Sequence, residues 1–200
     1  IYDRTPVINN ETLNRNTLTP ASQRTRERVI EALLAPDLAP DLGQKGVSQG
    51  MAFVRSALRH TGILVREGEQ ETLRLTGLAD ERIEHVMQMI CGFFAQADGG
   101  EKSSFGYLYD ALCAPAGRIA MKRGPIPILL AAALHGRRDH MTILGADGRE
   151  MELRADLFRA IEAHPERYRV QREQWSAEKD AYFRGLESLF IEELAPQERV

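Results

Sequence analysis

The chain has 200 residues, of which 43% are hydrophobic, and a formal net charge of −3. This composition can supply a packed core and excludes a disordered chain, while the negative charge excludes a uniformly basic coat for nucleic acid. No apolar run approaches the roughly 20 residues of a membrane helix. The chain starts at Ile1 with no signal peptide, and neither Cys91 nor Cys113 has a CxxC partner. We therefore expect a fragment of a larger cytoplasmic protein with reduced cysteines.

The first helix is predicted from Pro20 to about Ala35. Thr19 suits its N-cap and Pro20 its first turn, whereas residues 1–18 lack helical periodicity. Apolar residues form one stripe of the helix, and three arginines are assigned to its other faces: Arg24, Arg26 and Arg28. The two prolines and two glycines of Pro36–Gly46 then predict a long loop.

A second helix is predicted from the cap Ser48 to Gly62, followed by a β-hairpin over residues 63–75 with Gly68 in its turn. Apolar spacing predicts two further helices, over residues 79–97 and 103–112. We assign residues 1–100 to an N-terminal helical unit that contains this hairpin.

The next stretch repeats the combination of helix and hairpin. Five elements are predicted in the order helix, strand, strand, helix, strand: Ile126–Leu134, Met141–Leu144, Glu150–Leu153, Arg154–Ala163 and Tyr168–Val170. The Asp147-Gly148 pair favours a tight turn between the first two strands. This order is typical of a winged-helix-like unit, which we assign to residues 101–172. The fold class expected is therefore mainly α with small β-hairpins, built as two winged-helix-like units packed through central helices.

Residues 173–200 predict a C-terminal amphipathic helix. Aromatic side chains recur in it at helical spacing, and we take them as candidate partner-binding residues: Trp175, Tyr182, Phe183 and Phe190. Seven Asp or Glu against three Lys or Arg give this segment a charge of −4. It could complete the core, dock onto a protein partner or form a homo-oligomer.

Basic residues flank the apolar helix Ile126–Leu134 and are the candidates for nucleic-acid binding: Arg118, Lys122, Arg123, Arg137 and Arg138. From Ala116 to Arg172 there are eleven Lys or Arg against seven Asp or Glu, which gives +4. The alternative is that these residues only solubilise the ends of the helix. The helix itself is too apolar to lie in a major groove, so we expect it to pack inward.

Motifs for chemistry are missing from the sequence. It contains no GxxxxGK[ST], GxGxxG or GxSxG motif, and its five histidines lack metal-ligand spacing. We expect no catalytic residues, no metal, no cofactor and no enzymatic activity. An unrecognised small-molecule enzyme would require a deep pocket lined by perturbed titratable groups.

Two stretches resemble regions downstream of the nucleotide-binding core in very large bacterial P-loop ATPases, many of them encoded in phage-defence gene clusters. The first is TPVINNETLNR at 5–15, and the second is LYDAL at 108–112 followed by APAG at 114–117 and KRGPIPILL at 122–130. The resemblance implies an accessory, winged-helix-like region that couples the ATPase to a partner or to nucleic acid, and it implies no residue roles. We expect a non-catalytic module that docks other domains or a protein partner, the alternative being a winged-helix-type nucleic-acid-binding module.

Overall fold

The computed structural model describes residues 4–115 and 119–172. This part of the chain contains six α-helices and two small antiparallel sheets, which confirms the prediction of a mainly α fold with small β-hairpins. The helices are α1 (Pro20–Leu34), α2 (Gln49–Val54), α3 (Glu81–Ala95), α4 (Phe105–Cys113), α5 (Ile126–Leu134) and α6 (Ala155–Ala163). The strands are β1 (Leu64–Glu67), β2 (Gln70–Leu73), β3 (Met141–Leu144), β4 (Glu150–Met151) and β5 (Arg169–Arg172).

Side-chain caps define where the helices begin. The Thr19 hydroxyl accepts a hydrogen bond from the Ser22 amide at 3.2 Å, and the Ser48 hydroxyl accepts one from the Met51 amide at 3.2 Å, so both predicted caps are confirmed. Helices α3 and α4 each begin two residues later than predicted, because Asp80 and Ser104 serve as their N-caps.

The hairpin β1–β2 pairs Leu64 with Leu73 and Glu67 with Gln70, which leaves two residues in its turn. Gly68 is the first of these and has a φ of 66°, whereas Glu69 is not left-handed. A positive φ at the first turn position alone is the pattern of a type II′ turn. The predicted hairpin and its glycine turn are therefore confirmed.

The second sheet has the order β4-β3-β5, with Ile143 of β3 opposite both Met151 and Val170. The prediction of a tight turn at Asp147-Gly148 is wrong in detail. The Gly148 amide donates to the Gly145 carbonyl at 2.9 Å, and Gly148 has a φ of 76°. The Gly145 amide also donates to the Arg149 carbonyl at 2.8 Å, so three residues, 146–148, form the hairpin loop instead of two, and the left-handed glycine is the last of them.

Helix α5 lies at the centre of the fold. All nine of its residues are buried, and it packs against α1, α3 and α6. Its predicted inward packing is thereby confirmed. Because α5 touches helices from both halves of the chain, the buried apolar residues form one cluster that extends from Ile8 to Val170. The division at residue 100 into two winged-helix-like units stays a prediction.

The helices expected to join the two halves contact each other through aromatic rings. Phe93 of α3 lies 5.2 Å from Phe105 of α4 between ring centroids, and Phe94 lies 6.4 Å from Phe105. Strand β5 and the residue before it add a second connection to this region, since the Arg172 amide donates to the Ala97 carbonyl and the Phe105 amide donates to the Tyr168 carbonyl, both at 3.0 Å.

Residues 4–18, the N-terminal segment, form no helix or strand, but their apolar side chains pack into the core. Ile8, Leu13 and Leu18 of this segment are buried. The Gly124 amide donates to the Arg15 carbonyl at 2.8 Å, and the Thr5 hydroxyl donates to the Ile119 carbonyl. The segment is thus fastened to the chain that leads into α5. Among the described residues, no helix is both long and apolar enough to cross a membrane.

Candidate functional site

Three of the predicted phosphate-binding cations donate to carbonyls at helix ends. Arg123 Nη1 donates to the Glu162 carbonyl of α6 at 3.1 Å, Arg137 Nη1 to the Ala133 carbonyl of α5 at 2.9 Å, and Arg138 Nη1 to the Leu34 carbonyl of α1 at 2.5 Å. The last carbonyls of a helix have no intrahelical partner and carry partial negative charge, so a guanidinium stabilises them.

The ends of α1 and α5 are tied together by these contacts. His135 Nδ1, directly after α5, lies 2.7 Å from the Leu33 carbonyl and donates to it, one residue before the carbonyl that Arg138 binds. Two successive carbonyls of α1 are therefore satisfied by side chains that follow α5. His135 and Arg138 therefore have a structural role at the C-terminal end of α1.

The other predicted site residues fall into two groups. Lys122 is exposed, and no hydrogen bond or ion pair of its side chain is found within residues 4–115 and 119–172. Arg118 and all four aromatic candidates of the C-terminal segment lie outside the described residues: Trp175, Tyr182, Phe183 and Phe190. Their binding roles stay predictions.

A buried ion pair that the sequence reading missed joins α1 to α6. Arg26 is 1% exposed, and its Nη1 and Nη2 donate to Glu162 Oε1 and Oε2 at 2.9 and 2.5 Å. Nη1 also donates to the Gly124 carbonyl at 2.9 Å. The assignment of Arg26 to an outer face of α1 is therefore wrong.

The spacing of α1 did contain the signal for this burial. Arg26 lies three and four residues before the buried Val29 and Ile30 and four residues after the buried Ser22, so it belongs to the inner stripe. An arginine at such a position requires a buried acceptor. Its partner, Glu162, lies four residues after the buried Phe158 and so shares the inner face of α6.

Tyr109 and Cys113 of α4 lie beside this ion pair. Burial raises the pKa of the Tyr109 hydroxyl well above its ordinary value, and the Glu162 carboxylate raises it further. Within the described part of the chain, the Tyr109 hydroxyl and Arg26 Nε are buried without a hydrogen-bond partner. Burial also raises the pKa of the Cys113 thiol, so this thiol stays protonated near neutral pH.

An open cleft of about 780 Å³ lies on the outer side of this region. Three stretches of the chain line the cleft: the N-terminal segment, the end of α4 with the residues after it, and the chain that leads into α5. Its polar side chains are those of Thr5, Asn16, Thr17, Cys113, Lys122 and Arg123. The guanidinium of Arg123 stands over the ring of Tyr109, 5.4 Å from its centroid.

A second polar cluster holds the loop between α1 and α2. Glu71 of β2 is buried, and its Oε1 accepts from Arg59 Nη2 at 2.5 Å and from the Asp41 amide at 3.1 Å. Arg59 Nη2 also contacts Asp41 Oδ1 at 2.7 Å. Asp41 and the buried Leu42 have left-handed φ values of 48° and 53°. The predicted long loop is thus an ordered structure that is fixed through Glu71.

Charges around the second sheet are balanced. Residues 141–172 contain six Lys or Arg and six Asp or Glu, so their formal charge is zero. Opposite charges also stand close together, with Arg149 Nε 3.3 Å from Asp147 Oδ2 and Arg167 Nε 4.0 Å from Glu166 Oε1. The net charge of +4 counted over residues 116–172 therefore comes from residues 116–140 alone.

Metal-ligating side chains do not converge in the described ranges, where no group of three or more His, Cys, Asp or Glu residues could hold an ion. Cys91 and Cys113 are free cysteines, and both are half-buried.

Comparison with known proteins gives no match: no family model fits the chain, and no curated protein or solved structure matches it.

Proposed function

We propose that the chain is a non-catalytic docking module of a larger ATPase and that it binds a protein rather than nucleic acid. One observation carries the second half of this proposal. Arg123, Arg137 and Arg138, the cations best placed around α5, donate to carbonyls of the protein's own helices. Each of these guanidinium groups is held in place by a helix-end carbonyl, so it cannot move to follow the phosphates of a nucleic-acid backbone without losing that hydrogen bond, although its remaining donors can still meet a small anion that enters beside it.

The balanced charge of residues 141–172 supports the same choice. Affinity for a nucleic-acid backbone comes from cations that replace its counterions. A surface on which cations alternate with carboxylates offers no single-sign field to such a backbone. Alternating charges are instead suited to a protein partner, where they set register and exclude wrong partners.

The docking element that we propose is the segment 173–200. Its candidate residues Trp175, Tyr182, Phe183 and Phe190 include the kinds of side chain that supply most binding energy in protein interfaces. The link to an ATPase rests on the two sequence stretches that resemble such proteins.

The experiment uses the chain co-expressed with the remaining domains of its parent protein. We expect a complex whose mass, measured by light scattering, contains both parts. Replacing the four aromatic residues with serine should release the chain, whereas the control change Arg149→Glu on the second sheet should leave the complex intact. A complex of unchanged mass with the serine variant would contradict the proposed docking element.

The nucleic-acid alternative is tested separately, by fluorescence anisotropy with labelled duplex DNA at low salt. We expect no binding. Salt-dependent binding that Lys122→Glu abolishes would overturn the choice of a protein partner and favour the nucleic-acid-binding module instead.

A further inference from the structure

The cleft beside Arg123 has the size of a small-molecule site. Its volume of about 780 Å³ falls within the range of roughly 300–1,000 Å³ that ligand pockets occupy. The chain that forms one wall is held in place, because the Met121 amide donates to the Leu112 carbonyl at 2.9 Å and the Gly124 amide donates to the Arg15 carbonyl. The cleft is therefore a built feature of the fold.

The lining of the cleft carries charge of one sign. Lys122 and Arg123 are cations, and none of the lining side chains in the described ranges is a carboxylate. The Cys113 thiol adds no negative charge near neutral pH, because burial raises its pKa. A ligand that complements this lining is an anion.

Arg123 is held ready for such a ligand. Its Nη1 is fixed on the Glu162 carbonyl, and the ring of Tyr109 supports its guanidinium. A guanidinium has five N–H donors in a planar fork, so donors remain that can bind an oxyanion. Because the side chain is already positioned, little rotamer freedom is lost on binding.

Asn16 adds a neutral donor. Its Oδ1 accepts the Arg123 amide at 3.3 Å, so its Nδ2 is left with two N–H donors. The Thr17 hydroxyl also lines the cleft, whereas the Thr5 hydroxyl already donates its proton to the Ile119 carbonyl. Two cations, an amide and a hydroxyl are groups that bind phosphate and carboxylate oxygens.

We propose that this cleft binds a small molecule that carries an oxyanion, with Lys122 and Arg123 as its charged contacts and Asn16 as a neutral donor. None of the residues that line the cleft belongs to the proposed docking segment, so this proposal does not depend on that segment. Phosphate and carboxylate groups both present negatively charged oxygens to such a site. Inorganic pyrophosphate and succinate, used as separate probes, distinguish the two.

The test reads occupancy from Cys113, which lines the cleft. Cys91 is first replaced by serine, so that a maleimide can label only Cys113. The rate of labelling is then measured at increasing concentrations of inorganic pyrophosphate and, separately, of succinate. Sodium chloride at the same ionic strength is the reference. We expect at least one of the two probes to lower the rate of Cys113 labelling severalfold more than sodium chloride does. The melting temperature is followed in parallel and should rise with the same probe, so a slowly reacting thiol still gives a result.

Lys122→Glu is the informative variant, because Lys122 is exposed and its replacement should not disturb folding. We expect it to raise the concentration for half-maximal effect at least about tenfold. Lys45→Glu makes the same charge change at an exposed loop residue away from the cleft and should leave binding unchanged. Equal effects of the probes and sodium chloride, no effect of either probe, or an unchanged response of Lys122→Glu would each overturn the proposal.

Discussion

Glu162 of α6 receives both terminal nitrogens of Arg26 of α1 in a bidentate ion pair, and the Gly124 carbonyl takes a further hydrogen bond from the same guanidinium. Both side chains are almost fully shielded from water, with exposures of 1% and 11%. The pair therefore connects two helices and the chain before α5 in one buried polar contact.

Removing one member of this pair should destabilise the protein strongly. We expect Arg26→Ala to lower the free energy of unfolding by about 3–5 kcal/mol, because Glu162 would be left as a buried charge without its partner. Urea denaturation measures the change. Arg24→Ala, an exposed arginine on the same helix, should stay within about 0.5 kcal/mol of the wild type. The double change Arg26→Met with Glu162→Leu should recover part of the loss; similar effects of both single arginine variants would contradict the buried role.

A methyl group at Gly124 should loosen the N-terminal segment. A Cβ there would lie 2.1 Å from the Leu13 carbonyl oxygen and 2.9 Å from that of Arg15, and backbone atoms cannot give way cheaply. We expect Gly124→Ala to lower stability by about 1–3 kcal/mol or more and to speed proteolysis within residues 4–18. Gly136→Ala is the matched control, since nothing lies within 4 Å of its added Cβ. Equal protease resistance of the two variants would show that the segment is not clamped.

Two other glycines should respond in opposite directions. Gly92 lies in the last turn of α3, three residues before its end, with no atom near its added Cβ, so Gly92→Ala should stabilise the protein by about 0.5–1 kcal/mol. Gly148 has a φ of 76°, so Gly148→Ala should destabilise it by about 1–2 kcal/mol. Thermal unfolding of both variants tests the pair, and a shift of the same sign in both would refute the conformational argument.

Tyr109 should make stability decline at high pH. Its pKa is raised on folding by burial and by the Glu162 carboxylate. Above a pH of about 10 the unfolded chain loses this proton while the folded protein keeps it, so the free energy of unfolding falls as the pH rises. We expect Tyr109→Phe to show a shallower decline of melting temperature between about pH 9 and 11. Parallel declines in the two proteins would mean that the hydroxyl is not shielded.

The loop after α1 should depend on the charge of Glu71. Glu71→Gln removes the charge that Arg59 contacts and weakens the acceptor of the Asp41 amide. We expect a loss of about 1–3 kcal/mol in the free energy of unfolding, together with faster cleavage within residues 36–48. Glu69→Gln, at an exposed position of the neighbouring turn, should change neither measurement. Cleavage at the wild-type rate in Glu71→Gln would indicate that the loop is held by Leu42 alone.

Local signals predicted much of the fold because their causes are local. The cap Thr19, the turn glycine Gly68 and the apolar run of α5 each act through neighbours in sequence, and each was read correctly. The short length of β4 was not foreseen, because its end depends on where the chain must leave the sheet to begin α6.

Long-range contacts account for what the sequence reading missed. Arg26 was assigned to the surface because charged residues usually lie there, and its partner is 136 residues away. Residues 4–18 lack any periodic pattern, so their burial could not be inferred from spacing. The sequence marks the cations around α5 as candidates for nucleic-acid binding, but it does not show that Arg123, Arg137 and Arg138 meet helix-end carbonyls.

The attachment of the N-terminal segment has a consequence for biosynthesis. Thr5 binds a carbonyl 114 residues further along the chain, and Arg26 binds one 98 residues further along. These contacts cannot form until the ribosome has released residues beyond Gly124. Residues 4–18 therefore leave the ribosome before the partners that hold them, and Ile8, Leu13 and Leu18 stay available to chaperones during that interval.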